Sequence, residues 1–80
     1  MVVTIHLKGY FNHRRPSSDQ YIGEERWNLP EGAMVSDVFV LMPFLAQSGG
    51  IIFINGSRAE KNHVLRDGDE LEVFPPISGG

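Results

Sequence analysis

The chain ends in the stretch DGDELEVFPPISGG, residues 67–80, from which the rest of the fold can be worked out. Residues 67–69 are turn formers, because glycine tolerates positive φ and aspartate accepts hydrogen bonds from nearby backbone amides. Leu71 and Val73 then alternate with glutamates, which is the period of a strand with one buried face. The pattern predicts a turn followed by a final strand that packs in the core.

Two prolines follow this strand. They lack a backbone N–H group and favour an extended path, so sheet pairing should end there. An extended chain from Pro75 to Gly80 reaches about 20 Å, far enough for its carboxylate to enter a partner's active site. We predict a globular domain at residues 1–74 and a flexible tail at 75–80. A frayed end or a cloning remnant is the alternative interpretation of residues 78–80.

Composition limits the class of protein. The chain has 80 residues, of which 41% are hydrophobic and 21% charged, as expected for one compact domain. Its net charge of −3 argues against a nucleic-acid partner and favours partners with a basic surface. It has no cysteine, which excludes disulfides and thiolate chemistry of its own. No apolar run is long enough to span a membrane, so we expect a cytoplasmic protein that is monomeric when free.

The first third of the chain predicts two strands joined by a long loop. Alternating aliphatic residues form the first strand: Val3, Ile5 and Leu7. Residues 10–20 are rich in structure breakers and predict a hairpin loop. Residues 21–29 predict one returning strand, with Trp27 and Leu29 facing the core.

The middle of the chain predicts one main helix. Ser36 is the expected N-cap and Asp37 suits the first turn. Pro43 should kink the helix or end it early, because proline inside a helix removes a hydrogen bond. Gly49 is a candidate C-cap, and a short apolar strand follows at Ile51–Ile54. The residues predicted to be core are Val3, Ile5, Val38, Leu41, Leu45, Ile52, Ile54, Leu71 and Val73.

These elements predict an α+β fold of the β-grasp type. We expect a mixed sheet of four to five strands with one main helix packed on one face. Parity places Phe74 and either Ile51 or Phe53 on the other face, where exposed apolar residues usually mark an interface. The alternative is that the 10–20 loop covers them.

Other candidate chemistry is weaker. His6, His13 and His63 lack metal-ligand spacing, so no metal site is predicted. His13, Arg14 and Arg15 could meet a phosphate, but a solvated loop is the favoured interpretation. We do not expect an autonomous enzyme.

Five short motifs occur in one order along the chain. They are LPEGA at 29–33, VSDV at 35–38, FING at 53–56, LRDGDE at 65–70 and FPPISGG at 74–80. Together they resemble the MoaD/ThiS family of ubiquitin-like sulfur carriers over roughly residues 27–80. The ending looks more like MoaD, the small subunit of molybdopterin synthase, than ThiS. Residues 10–20 show no match to the family's usual first connection.

The resemblance implies that the chain is a carrier and that its reacting group is the Gly80 carboxylate. An E1-like, MoeB/ThiF-like partner would use ATP to adenylate Gly80, and a sulfur donor would then yield a thiocarboxylate. The sulfur would pass to a pterin on a MoaE-like large synthase subunit, and the chain itself would bind no cofactor. Gly79 would keep the end narrow enough for a tunnel. The implied partner-binding residues are Leu65, Phe74, Pro75, Pro76, Ile77 and Ser78.

Three alternatives stay open at this point. A ThiS-like carrier would give its sulfur to a thiazole. A ubiquitin-like modifier or tRNA-thiolation carrier would use the same activated end on a lysine or with RNA-modifying enzymes. A binding module would never be activated at all.

Overall fold

The structure is a computed structural model that describes residues 1–9, 11 and 18–76. Within them the chain forms six strands and two short helices. In chain order these are β1 (Val2–Leu7), β2 (Tyr21–Gly23), β3 (Arg26–Asn28), α1 (Val35–Leu41), α2 (Pro43–Ser48), β4 (Ile51–Ile54), β5 (Ser57–Arg58) and β6 (Glu70–Phe74). The α+β class and the mixed sheet are confirmed, with six strands where we expected four to five and two short helices where we expected one main helix.

The first and last strands form the centre of the sheet. The strand order is β2-β3-β1-β6-β4-β5, and β1 runs parallel to β6 with Thr4 opposite Glu70 and Leu7 opposite Val73. The other neighbouring strands are antiparallel. A central parallel pair flanked by antiparallel strands, with helices in the crossover, is the β-grasp arrangement predicted from the sequence.

The core lies on one face of this sheet. Buried residues of β1, β4 and β6 share one parity along each strand, and the helices supply the opposing layer. All of the predicted core residues are buried except Leu41, which is partly buried against the core. The other members of the core are Phe11, Trp27, Leu29, Ala33, Val35, Phe39, Met42 and Leu65.

The turn before β6 forms as predicted. Gly68 has a φ of +88°, which glycine adopts without strain. The Asp67 carboxylate accepts a hydrogen bond of 2.7 Å from the backbone N–H of Val2. The Asp69 carboxylate accepts one of 2.9 Å from the backbone N–H of Arg66. The first bond ties the turn to β1, and the second closes the turn itself.

The prediction of one strand over residues 21–29 is wrong. The segment is a tight hairpin, because Glu24 and Glu25 turn the chain with φ values of +55° and +64°. The Glu25 carbonyl accepts a hydrogen bond of 2.8 Å from the N–H of Ile5, and the Glu25 N–H donates to the Tyr21 hydroxyl at 3.2 Å. Tertiary contacts therefore hold a turn that glutamate does not favour by itself. Trp27 and Leu29 face the core, as predicted.

The N-cap of α1 lies two residues before the predicted one. Met34, not Ser36, is the N-cap, and its N–H donates to the Asp37 carboxylate at 2.8 Å. The N–H of Ser36 is bonded at 2.9 Å to the carbonyl of Lys61, so a neighbouring segment already satisfies it. The prediction for Pro43 is confirmed, since α1 ends before it and α2 begins with it.

The C-cap prediction is also confirmed. Gly49 is left-handed at the end of α2, with φ +74°, and its N–H donates to the Leu45 carbonyl. None of the helices in the described part of the chain is long and apolar enough to cross a membrane.

Most of the predicted 10–20 loop, including His13, Arg14 and Arg15, lies outside the described residues. Phe11 is described and fully buried, and its ring packs edge-on against Phe44 of α2 at 5.4 Å between centroids.

Candidate functional site

An apolar cluster lies on the sheet face opposite the core. It consists of Ile51, Phe53 and Phe74, all half-buried, and we call it the outer-face cluster. Ile51 stands opposite Phe74 in the β4–β6 register, so their side chains share this face. The Phe53 and Phe74 rings meet edge-on, with centroids 5.6 Å apart. The sequence left Ile51 and Phe53 as alternatives for this face, and the structure places both there.

The tail begins beside this cluster and is held by close packing. Gly9 has a φ of +58°, and a Cβ on it would lie 2.9 Å from Cγ of Pro75. The N–H of Lys8 donates to the Val73 carbonyl at 2.8 Å, which extends the β1–β6 pairing to the end of β6. On the other side, a Cβ on Gly50 would lie 3.6 Å from the Phe74 carbonyl oxygen. The chain therefore leaves the centre of the sheet along a path set by its two neighbours.

Charged side chains flank the cluster on the same face. Nζ of Lys8 lies 3.8 Å from Oε2 of Glu72. The His6 imidazole lies between two carboxylates, with Nδ1 at 2.7 Å from Oε2 of Glu25 and Nε2 at 3.5 Å from Oε1 of Glu70. These groups are partly exposed, so their pairing adds little stability. An apolar centre with a polar border is the usual composition of a protein–protein contact.

The structure brings three of the sequence-predicted partner-binding residues together. Phe74, Pro75 and Pro76 are half-buried and continuous with the outer-face cluster. Ile77, Ser78, Gly79 and Gly80 lie outside the described residues.

Leu65 requires a correction. Its side chain is 3% exposed and belongs to the hydrophobic core, and its N–H donates to the Ala33 carbonyl at 2.8 Å. A side chain enclosed in this way cannot contact a partner, so its place in the LRDGDE motif reflects packing. We therefore do not assign it a docking role.

Sequence reasoning missed Gly9 and Lys8. The signal is weak, because a single glycine after an alternating strand also occurs where a strand simply ends. Its close approach to Pro75 depends on the parallel β1–β6 pairing, which brings residues far apart in sequence side by side.

The described residues contain no group of three or more histidine, aspartate or glutamate side chains placed to hold a metal ion. His63 is exposed, and Ser36 lies in the first turn of α1. What the geometry provides is a fixed path for the chain at Phe74 and Pro75, beside the half-buried outer-face cluster.

Comparison with known proteins agrees with this geometry. The model of the ThiS family matches residues 10–80. That match extends further upstream than the resemblance seen in the sequence, which begins near residue 27. The fold matches that of SAMP1 from Haloferax volcanii, with a TM-score of 0.61 and 22% sequence identity over 100% of both chains. No curated protein shows significant sequence similarity to the chain.

Proposed function

The chain belongs to the ThiS family, and we propose that it is a sulfur carrier whose reacting group is the Gly80 carboxylate. The observation that carries this proposal is the exit of the tail beside the outer-face cluster. A partner that contacts the cluster would receive the tail in a defined direction.

The carboxylate requires activation before it can accept sulfur. With a usual pKa near 3.5 it is an anion at neutral pH, and an anion resists attack at its carbon. An E1-like enzyme would let a Gly80 oxygen attack the α-phosphate of ATP, so that pyrophosphate leaves and an acyl-adenylate forms. A sulfide equivalent from a donor would then attack the carbonyl carbon, and AMP would leave with the electrons of the broken C–O bond. The product is a thiocarboxylate on Gly80.

The tail has the length and width for this role. From Pro75, which is held against Gly9, an extended chain reaches about 20 Å to the carboxylate. Gly79 and Gly80 carry no side chain, so a narrow tunnel can enclose them. The domain would therefore stay outside the active site while only its end enters.

We further propose that the sulfur goes to a pterin in molybdopterin synthesis. The support is the FPPISGG ending, which resembles that of MoaD. In this proposal the outer-face cluster contacts an E1-like, MoeB-like enzyme first and a MoaE-like synthase subunit afterwards. The chain contributes the carboxylate and the contact surface, and the partners contribute the catalytic residues.

The test is ATP–pyrophosphate exchange by the cognate activating enzyme. Deleting Gly80 moves the carboxylate back by about 3.3 Å, whereas reacting atoms must lie within about 3 to 3.5 Å of each other. Adding one glycine after Gly80 moves it forward by the same distance, and Gly79→Val widens the tunnel-bound segment. All three variants should reduce exchange to background while keeping the melting temperature and most of the affinity for the enzyme. Exchange at the unaltered rate in all three would show that the terminus is not the reacting group.

Intact mass of the protein from its own cells separates the possible fates of the activated end. Replacement of one oxygen by sulfur is expected for a carrier. Branched adducts on lysines of other proteins would instead indicate a modifier. An unmodified chain, with the activating enzyme and sulfur donor present, would indicate a binding module.

A further inference from the structure

We propose that a turn at the end of β1 positions the tail for reaction, by fixing the direction in which the tail leaves the domain. The described residues of this turn are Lys8, Gly9 and Phe11, and we call them the brace. This inference rests on the proposed reaction of the Gly80 carboxylate. It adds positioning residues that act on the carboxylate only through Pro75, where the tail begins.

The brace holds the end of β6 and the start of the tail at two points. The N–H of Lys8 donates to the Val73 carbonyl at 2.8 Å. Next along the chain, the Gly9 backbone lies against the Pro75 ring, since a Cβ on Gly9 would be 2.9 Å from Cγ and 3.0 Å from Cδ of that ring. Two contacts that lie two residues apart fix a direction as well as a position.

Packing against Gly9 gives Pro75 a constraint that the sheet cannot supply through its nitrogen. Proline has no N–H, so it cannot be held by a donated backbone hydrogen bond. Because Gly9 has no side chain, the proline ring meets backbone atoms, which cannot move aside by a change of rotamer. The φ of +58° at Gly9 is one that glycine adopts without strain. Glycine is therefore needed here for the contact itself.

Phe11 anchors the brace in the core. Its N–H donates to the Lys8 carbonyl at 3.1 Å, which closes the turn around Gly9. Its side chain is fully buried, and its ring packs edge-on against Phe44 of α2 with centroids 5.4 Å apart. A Cβ on Gly50, just before β4, would lie 3.4 Å from Cε2 of the same ring. The turn that holds Pro75 is thus fastened to two other parts of the fold.

A small rotation at Pro75 has a large effect at the other end of the tail. An extended chain from Pro75 to Gly80 reaches about 20 Å, so turning it by about 10° displaces the carboxylate by about 3.5 Å. Reacting atoms must lie within about 3 to 3.5 Å of each other. Pro75 and Pro76 both favour an extended path, so a direction set at the first ring is passed on to the second. The brace acts where a constraint on direction is most effective.

The brace and the outer-face cluster should affect different kinetic quantities. In the proposed function the cluster contacts the activating enzyme, so its loss weakens binding. The brace determines how often a bound chain presents its carboxylate in line with ATP, so its loss lowers the rate of the saturated complex. An unfolded fraction would do the reverse, because it raises the concentration needed for saturation without changing the rate that is reached.

The experiment measures ATP–pyrophosphate exchange by the cognate activating enzyme at increasing concentrations of the full chain, at a temperature where thermal melts show every variant folded. Gly9→Ala should lower the rate at saturation at least about tenfold and change the half-saturating concentration less than about twofold. The matched control is Gly68→Ala, which should keep both values. Gly68 also has a left-handed φ, +88°, but a Cβ on it would meet nothing within 4 Å, and it lies just before the opposite end of β6.

A second variant removes the same contact from the other side. Pro75→Ala keeps Gly9 and takes away the ring, so it does not crowd the fold. It should also lower the rate at saturation, and the double variant Gly9→Ala/Pro75→Ala should be no slower than the slower of the two single variants, because both substitutions disrupt one contact.

The anchor is tested by a pair of matched substitutions in the core. Phe11→Leu should lower the rate at saturation about threefold or more, because the ring that fastens the brace to α2 is lost. Phe39→Leu, the same change in a buried residue of α1, should not. Equal rates for these two variants would remove Phe11 from the brace.

Three results would overturn the role of the Gly9–Pro75 contact. The first is a native rate at saturation for Gly9→Ala and Pro75→Ala. The second is an effect of Pro75→Ala on the half-saturating concentration alone, which would make its ring part of the docking surface. The third is a double variant whose loss is the product of the two single losses, which would show that the residues act separately.

The Gly80 deletion, measured in parallel, separates this test from that of the proposed function. Exchange by the deletion variant at the native rate would refute both proposals. Loss of exchange on deletion, together with native exchange by the brace variants, would refute the brace alone.

Discussion

Replacing Gly9 by alanine should destabilise the protein through the start of the tail. The added Cβ would lie 2.9 Å from Cγ and 3.0 Å from Cδ of Pro75, well inside the 3.5–4.0 Å at which carbon atoms attract. The residue also has a φ of +58°, which an L-residue with a side chain rarely adopts. Two separate costs therefore act on one substitution.

Their sizes follow from the geometry. Adopting the left-handed conformation costs alanine about 1–2 kcal/mol. Moving the proline ring away from the new methyl group costs at least about 1 kcal/mol more, as in an overpacked core. We expect Gly9→Ala to lower the free energy of unfolding by about 2–4 kcal/mol, and the melting temperature by about 10 °C or more in a domain of this size.

A matched control separates the two costs. Gly49 also has a left-handed φ, +74°, but a Cβ on it would meet nothing within 4 Å. Gly49→Ala should therefore show only the conformational cost. Replacing Pro75 by alanine removes the ring atoms, so Gly9→Ala in that background should cost about 1 kcal/mol less than in the native chain.

The measurement is urea unfolding of the native protein, the three single variants and the Gly9→Ala/Pro75→Ala double variant. Their free energies of unfolding are compared with one shared dependence on urea concentration. Equal decreases in the free energy of unfolding for Gly9→Ala and Gly49→Ala would refute the close approach of Gly9 to Pro75. So would a Gly9→Ala cost that does not change when Pro75 is alanine.

Two further predictions concern β6. Val73→Ala should lower the free energy of unfolding by about 1–3 kcal/mol, because Val73 is fully buried and its loss leaves a cavity; urea unfolding tests this, and an unchanged midpoint would contradict it. Phe74→Ala should weaken binding to the activating enzyme about tenfold or more, by calorimetry, as an interface aromatic does. The lost contact with Phe53 should cost the fold about 0.5–1.5 kcal/mol, in addition to the loss of the area that the half-buried ring covers. The control is Ile22→Ala, an exposed aliphatic on the far edge of the sheet, and equal binding losses for both variants would remove the outer-face cluster from the docking surface.

Local physics made several elements predictable from the sequence alone. The alternation in β1 and β6 follows from the two-residue period of a strand, and the break at Pro43 follows from the missing N–H of proline. The turn at Gly68 and the cap at Gly49 need a left-handed φ that glycine supplies. Each of these features depends on residues that are neighbours in the chain.

The remaining features depend on residues that meet only in the folded protein. Glu24 and Glu25 form the turn between β2 and β3, and the N–H of Ile5 in β1 holds that turn by donating to the Glu25 carbonyl. Leu65 is buried because its segment is held along residues 33–36, although its motif suggested a docking role.

What the sequence determined by itself is the first and last strands with their core faces, the break at Pro43 and the family. Only the tertiary structure decided which residues share a surface. Parallel pairing of β1 with β6 brings Gly9 against Pro75, and the Met34–Val64 bridge holds the segment of Leu65 along residues 33–36. The physical reason is that the alternation of side chains along a strand is a local property of the backbone. The pairing of distant segments depends instead on the packing of the complete core.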